Sequence, residues 1–404
     1  MALEQTSSAV TSFTTIKPIG KGRYGEVYQK RNPDTNRLYA VKEVQCSTYA
    51  NPKAILERVQ KLIVAKDTSP VVADFRFAFQ TASSLHFAVD FICGGNLWWH
   101  LHQEGKFVED RARFYTAEIA LALEHLHQSG CTRQTVTPDN ILLDSAGHAI
   151  LSSLGILDTW ARQEETEQNS DGQLTAFLEA LEYCAPELLL REPPGRTDFW
   201  SLGVLVYEMV CGWNPFYNQD ELQMMKNIVY GGVQLPPDTM SVEGQEFVKA
   251  LLKRYPEQRL GHQHGMIEIK EHPWMSDIDW EELADKRTVP PTKPKTVPQN
   301  AVTSLTKDLE SRLEHAMVPS AHKTGLSSGR NTMDSGYMSA RMSAASRPTP
   351  FVHTPDFASP MSESGRDFHS LSLAGGAGWR ETIFEGPEED EGLGVEVGMY
   401  EMEI

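Results

Sequence analysis

Three closely spaced glycines, Gly20, Gly22 and Gly25, followed by Val27, constrain this chain more than any other feature. Glycines at this spacing let backbone N–H groups close over phosphates with no side chain in the way. A similar string in a dinucleotide-binding turn opens a helix. Here Tyr28 leads instead to the turn cluster Asn32-Pro33-Asp34-Thr35-Asn36, and then to a second strand-like run from Leu38 to Val44. Residues 13–45 therefore read as strands joined by turns, with Lys42 on the later strand.

The segments that follow alternate in period. Pro52 to Lys66 places Ile55, Val59, Leu62 and Ile63 on one face and reads as a helix. Val71 to Val89 reads as two more strands that complete the small sheet. Phe107 to Gln128 is a long amphipathic helix, with Ala112, Phe114, Tyr115, Ile119, Leu121, Leu123 and Leu126 as core candidates. At 404 residues the chain has room for one large domain or two or three small ones.

The net charge of −18 argues against nucleic acid or an anionic membrane surface as the main partner. Cys46, Cys93, Cys131, Cys184 and Cys211 are scattered without zinc-ligand spacing, which fits free thiols in a reducing compartment. Residues 1–8 lack the basic-then-apolar order of a secretory leader. No apolar run reaches the roughly 18 residues that a spanning helix needs. The expectation is a soluble intracellular protein of the cytoplasm, with nuclear entry left open.

Several later strings share one resemblance. They are Thr137-Pro138-Asp139-Asn140, Ser153-Leu154-Gly155, Ala185-Pro186-Glu187, Asp198-Phe199-Trp200-Ser201-Leu202-Gly203 and Arg259 in Pro256-Glu257-Gln258-Arg259-Leu260-Gly261. With the glycine string and Ala40-Val41-Lys42, they resemble a eukaryotic protein kinase of the AGC serine/threonine branch. The resemblance implies an α+β, two-lobed fold over residues 13–274, with a β-rich small lobe at about 13–91 and a helical large lobe at about 92–274. Residues 275–295, with Asp279-Trp280-Glu281-Glu282-Leu283, resemble the start of the AGC C-terminal extension. It implies ATP as ligand, contacted by Gly20, Gly22, Gly25, Val27, Lys42 and Asn140. Glu187 and Arg259 would pair, and Asp198 would open the central helix of the large lobe. Lys42 needs an acid from the helix after it. Gln60 falls at that position without a gap, and Glu57 lies one turn earlier.

The chemistry of the family is missing at its key positions. Thr135 stands where the family has the aspartate that takes the substrate hydroxyl's proton, Gln134 where it has arginine, and Thr137 where it has lysine. A threonine hydroxyl near neutral pH is neither a base nor a charge. Ser153 takes the place of the magnesium-binding aspartate and supplies one weak neutral oxygen where magnesium prefers anionic ones. Asn140 remains as the other family ligand. Asn96 replaces an acid beside the hinge. Arg162 to Gly172 is polar and acidic and reads as an activation loop, after which Ala176 and Ala180 replace the family's threonines. The resulting expectation is a catalytically inactive pseudokinase, an allosteric partner or scaffold of other proteins such as an active kinase or a signalling complex. ATP binding would be weak and would depend little on magnesium. The alternative is an active kinase with a non-standard site.

Residues 1–12 are expected to be flexible and 296–404 mostly disordered, being rich in Ser, Pro and acids. A short helix from Ser304 to Ala316 is one exception. Asp334-Ser335-Gly336-Tyr337-Met338-Ser339 resembles the phosphodegron read by WD40-type ubiquitin-ligase adaptors, with Ser335 and Ser339 as phosphosites. Thr349, Thr354 and Ser359 each precede proline and suit proline-directed kinases.

Overall fold

The structure, a computed structural model, describes residues 13–22, 24–65, 68–131, 136–168, 181–190, 192 and 195–295. The chain divides into two units, Met1–Ala321 and His322–Ile404, and the second lies wholly outside the described residues. The tail phosphosites, the Ser304–Ala316 helix and residues 1–12 therefore also fall outside them.

The glycine string sits in a hairpin. Strands β1 (Thr14–Gly22) and β2 (Gly25–Arg31) are antiparallel, with Gly20 opposite Val27 and Gly22 opposite Gly25. Strand β3 (Leu38–Gln45) follows and pairs Lys42 with Val27. Strands β5 (Phe75–Gln80) and β6 (Ser84–Asp90) complete a five-stranded sheet in the order β1-β2-β3-β6-β5. The period-2 pleat sorts β3 onto two faces. Tyr39 and Val41 join Phe13, Phe77 and Ala88 on one side, while Ala40 and Val44 enter the main core. Lys42 shares the parity of Ala40 and Val44. Helix α1 (Pro52–Ala65) packs on β5 and buries Ile55 and Val59.

One strand departs from expectation. Strand β4 (Val72–Ala73) does not join the small sheet. It lies parallel to β8 (Ala149–Ser152), which pairs with β7 (Ile141–Leu143) in a second sheet ordered β4-β8-β7. A two-residue strand carries no readable period, so the sequence does not show this partner.

The large lobe is helical. Helix α2 (Leu97–Glu104) and helix α3 (Glu109–Gln128) come first, and of the α3 core candidates only Leu121 is left partly exposed. Helix α4 (Gly155–Gln168) follows β8. The stretch read as the beginning of an activation loop is thus helical up to Gln168. Ile156, Leu157, Trp160 and Ala161 form its buried face, the i, i+1, i+4, i+5 spacing of an amphipathic helix. Beyond it come α5 (Pro186–Leu189), α6 (Thr197–Cys211), α7 (Glu221–Tyr230), α8 (Val242–Leu251), α9 (Met266–Lys270) and α10 (Trp280–Ala284). Helix α6 is apolar on nearly every side, with Phe199, Trp200, Leu202, Val204, Leu205 and Val206 buried, as a central helix must be.

Beyond α10 the chain returns over the turn between β7 and β8. Lys286 pairs with Asp144 at 2.9 Å. At Gly147, φ is +108° and a Cβ would sit 2.2 Å from the Thr292 carbonyl oxygen, so glycine is required there twice over.

Candidate functional site

Lys42 is buried, on the cleft side of β3 between Val27 of β2 and Phe87 of β6. Its Nζ donates to Oδ1 of Asp158, on the first turn of α4. Neither candidate on α1 fills that role. Glu57 is exposed, and the Gln60 amide donates to the Ala78 carbonyl of β5 at 3.5 Å. The space before Lys42 is taken by α4, which is docked on α1 and its approach. Arg58 lies over the Trp160 ring at 3.9 Å, the Ala50 N–H donates to Glu164 Oε2 at 2.6 Å, and the Tyr49 hydroxyl donates to the Leu157 carbonyl at 3.0 Å.

The three glycines are not equivalent. A Cβ at Gly25 would lie 2.3 Å from the Glu43 carbonyl oxygen, so the pairing of β2 and β3 demands that glycine. Gly20 and Gly22 meet only ordinary neighbours, at 3.6 and 3.9 Å. Their bareness is not a packing requirement, and it suits the close backbone approach of a phosphate chain. Gly20, Gly22, Val27 and Lys42 lie on the adjoining strands β1, β2 and β3, with Val27 paired to both Gly20 and Lys42.

The metal positions are different in chemistry. Ser153 is 3 % exposed, and its backbone N–H donates to the Ala73 carbonyl at 3.2 Å. It lines a cavity of about 370 Å³ with Leu62, Asp74, Phe75, His125 and Cys131. Leu154 enters the core in the place of the family's phenylalanine. The Asn140 carbonyl accepts from the Ser152 N–H at 2.8 Å, and its side chain packs so close to Gly155 that a Cβ there would lie 2.8 Å from Nδ2. Both oxygen donors inherited from the family pattern, Ser153 and Asn140, are neutral. Among the described residues no group of three His, Cys, Asp or Glu side chains could hold a metal ion. Neither supplies the anionic oxygen that magnesium prefers.

Thr137 is half-buried, and its carbonyl accepts the Asn140 N–H at 3.0 Å. Gln134 and Thr135, with Ala176 and Ala180, lie outside the described residues. Asn96 caps α2: its Oδ1 accepts from the Trp99 N–H at 3.0 Å, and its Nδ2 donates to Asp139 at 3.4 Å. An Asn just before an apolar helix is a readable N-cap signal.

Around the cleft, the polar framework is closed. Arg259 donates to both oxygens of Glu187, at 2.6 and 2.8 Å, with both side chains buried. Asp198 Oδ2 lies 2.7 Å from His127 Nε2, within hydrogen-bond distance. Ser201 Oγ donates to the Asp198 carbonyl at 3.0 Å and receives the Val136 N–H at 3.1 Å, which ties the segment before Thr137 to α6. His127 is a member of this framework that sequence reasoning missed. It sits 71 residues from Asp198, with no local signal linking them.

Among the described residues no helix is long and apolar enough to cross a membrane. A sequence profile of the protein kinase domain matches residues 13–275. The chain is 41% identical over 312 residues to the serine/threonine-protein kinase SCH9 of Candida albicans, covering 76% of this chain and 39% of that protein. It is 41% identical over 292 residues to SCH9 of Saccharomyces cerevisiae, covering 70% and 34%. To the serine/threonine-protein kinase Sgk2 of Homo sapiens it is 36% identical over 293 residues, covering 70% of this chain and 76% of that protein. The aligned region thus spans about 40% or less of the two fungal relatives' length. With the glycine hairpin, Lys42 on β3 and the Glu187–Arg259 pair in place, the chain belongs to the protein kinase family, in its AGC-type serine/threonine branch.

Proposed function

We propose that this protein kinase-fold chain is catalytically inactive and acts as a regulatory partner of other proteins, such as an active kinase or a signalling complex. The observation that carries this reading is Ser153, a buried neutral side chain where the family holds its metal with an aspartate. Thr135, from the sequence, removes the general base as well. General acid–base help is typically worth about 10²- to 10⁴-fold, and metal charge stabilisation several kcal/mol more. The retained glycines and Lys42 support weak ATP binding with little dependence on magnesium. A thermal-shift series of the full chain with ATP, with and without magnesium and chelator, tests it. A small, metal-independent shift is expected, and a large magnesium-dependent one would contradict the reading.

A second reading, an active kinase that has relocated its acid, draws on one observation: Asp158 stands at Lys42. The names of the relatives agree with it. It still leaves the base position to Thr135. The tail adds a separate proposal, that phosphorylated Ser335 and Ser339 recruit a ubiquitin-ligase adaptor and set the protein's abundance in the cytoplasm. Half-life in cells should lengthen on Ser335→Ala with Ser339→Ala, and equal half-lives would remove this role.

A further inference from the structure

Asp158 does more than replace a missing partner. It stands on a helix that is held to the small lobe at several independent points. The pairing of Asp158 with Lys42 ties the first turn to β3. Tyr49 ties the Leu157 carbonyl, Arg58 covers Trp160, and Glu164 receives the Ala50 N–H two turns further on. Ile156, Leu157, Trp160 and Ala161 are all buried. At the other end, Gly155 is pressed against the Asn140 side chain. Helix α4 therefore spans from the large-lobe loop to the entrance of α1, with its one first-turn carboxylate on the cleft lysine.

This arrangement sets α4 against a nucleotide. Lys42 has one ammonium group. While the Asp158 carboxylate holds it, incoming phosphates must displace a like charge to reach it. Asp158 shares one helix with the Trp160 and Glu164 contacts, so a displacement of its turn reaches those contacts as well. We infer that α4 is a latch: docked on the small lobe it withholds Lys42 through Asp158, and nucleotide binding and α4 docking exclude each other. This rests on the proposal that the cleft binds nucleotide, and it adds what controls that site. Coupling of this kind is reciprocal. Whatever protein grips the undocked α4 raises nucleotide affinity, and nucleotide in turn presents α4 to that protein.

The test uses the full chain and ATP alone, then ATP with magnesium. Asp158→Asn keeps the shape and removes the charge, and it should tighten ATP binding about 5-fold or more, the low end of typical coupling. Losing a negative charge near phosphates would tighten binding even without a latch. The deciding variant is therefore Arg58→Ala with Glu164→Gln. It removes two docking contacts on the surface, leaves the net charge unchanged and touches neither Lys42 nor Asp158. The latch predicts tighter ATP binding in this variant too, and faster amide hydrogen exchange through 155–164 in wild type once ATP is added. In a Lys42→Met background, Asp158→Asn should give a smaller gain, since only the direct repulsion of the phosphates is then relieved. Unchanged or weaker ATP binding in the surface double variant, unaltered exchange in α4, or no ATP binding in any variant would overturn the latch. Phosphate transfer by any of these proteins would instead overturn the inactive reading and leave the latch standing.

Discussion

The large-lobe framework and the cleft obey different constraints in the same molecule. Glu187 and Arg259 are buried and pair through two hydrogen bonds, and buried Asp198 pairs with half-buried His127. Half of such a pair left alone would be an uncompensated charge in the core. On the proposed reading, Thr135, Thr137 and Ser153 are neutral residues at positions that serve substrate and metal. A neutral side chain such as buried Ser153 leaves no uncompensated charge behind.

The sharpest way to break the contrast is to disturb each side by one atom type. Glu187→Gln leaves Arg259 buried without its counter-charge, with an expected loss of about 3–5 kcal/mol. Ser153→Ala should cost under about 1 kcal/mol, the order of one hydrogen bond. Denaturant unfolding of both measures it. Equal losses would mean that Ser153 belongs to the framework after all.

Within the glycine hairpin the same contrast recurs on a smaller scale. Gly25→Ala forces a Cβ against the Glu43 backbone and should destabilise by about 1–3 kcal/mol, as overpacking does. Gly20→Ala has room and should leave the melting temperature near wild type while weakening ATP binding. A Gly20→Ala variant as unstable as Gly25→Ala would show that both glycines serve packing.

Much of this was legible beforehand. The hairpin, Lys42 on its strand, the faces of α1 and α3, and the Glu187–Arg259 pair all follow from local period or from strings that resemble the family. Asp158 was not legible, because its partnership depends on where α4 docks. The apolar spacing of Ile156, Leu157, Trp160 and Ala161 was present in the sequence, but the polar residues after it read as loop and masked it. The choice between Glu57 and Gln60 failed for the same reason: both were weighed on α1, while the acid came from another helix. Strand β4 was missed because two residues cannot show a period, and His127 because its partner is far away in sequence.

A weaker effect comes from pH. His100 is fully buried, with Nε2 on the Gly94 carbonyl at 2.8 Å and Nδ1 without a partner. Burial holds its pKa below the ordinary 6.5. As pH falls through about 6.5 the unfolded chain takes up a proton that the folded one refuses, so stability is full above that value and declines below it, by at most about 1.4 kcal/mol per pH unit for one group. The melting temperature should drop between pH 7.5 and 5.5, and less so in His100→Gln. A flat profile in wild type would show that this imidazole is not held neutral. The framework side of the comparison would then lose one of its buried groups.

The most direct test of the central claim is single-turnover phosphoryl transfer, with purified full-length protein in excess over labelled ATP and with magnesium or manganese present. Excess protein reveals even a very slow reaction. The account predicts label transfer and ATP hydrolysis no faster than in Lys42→Ala, and rates far below the roughly 1–100 s⁻¹ of working kinases even after Thr135→Asp with Ser153→Asp, because such groups act together. Transfer by the wild-type protein that disappears in Lys42→Ala would contradict it.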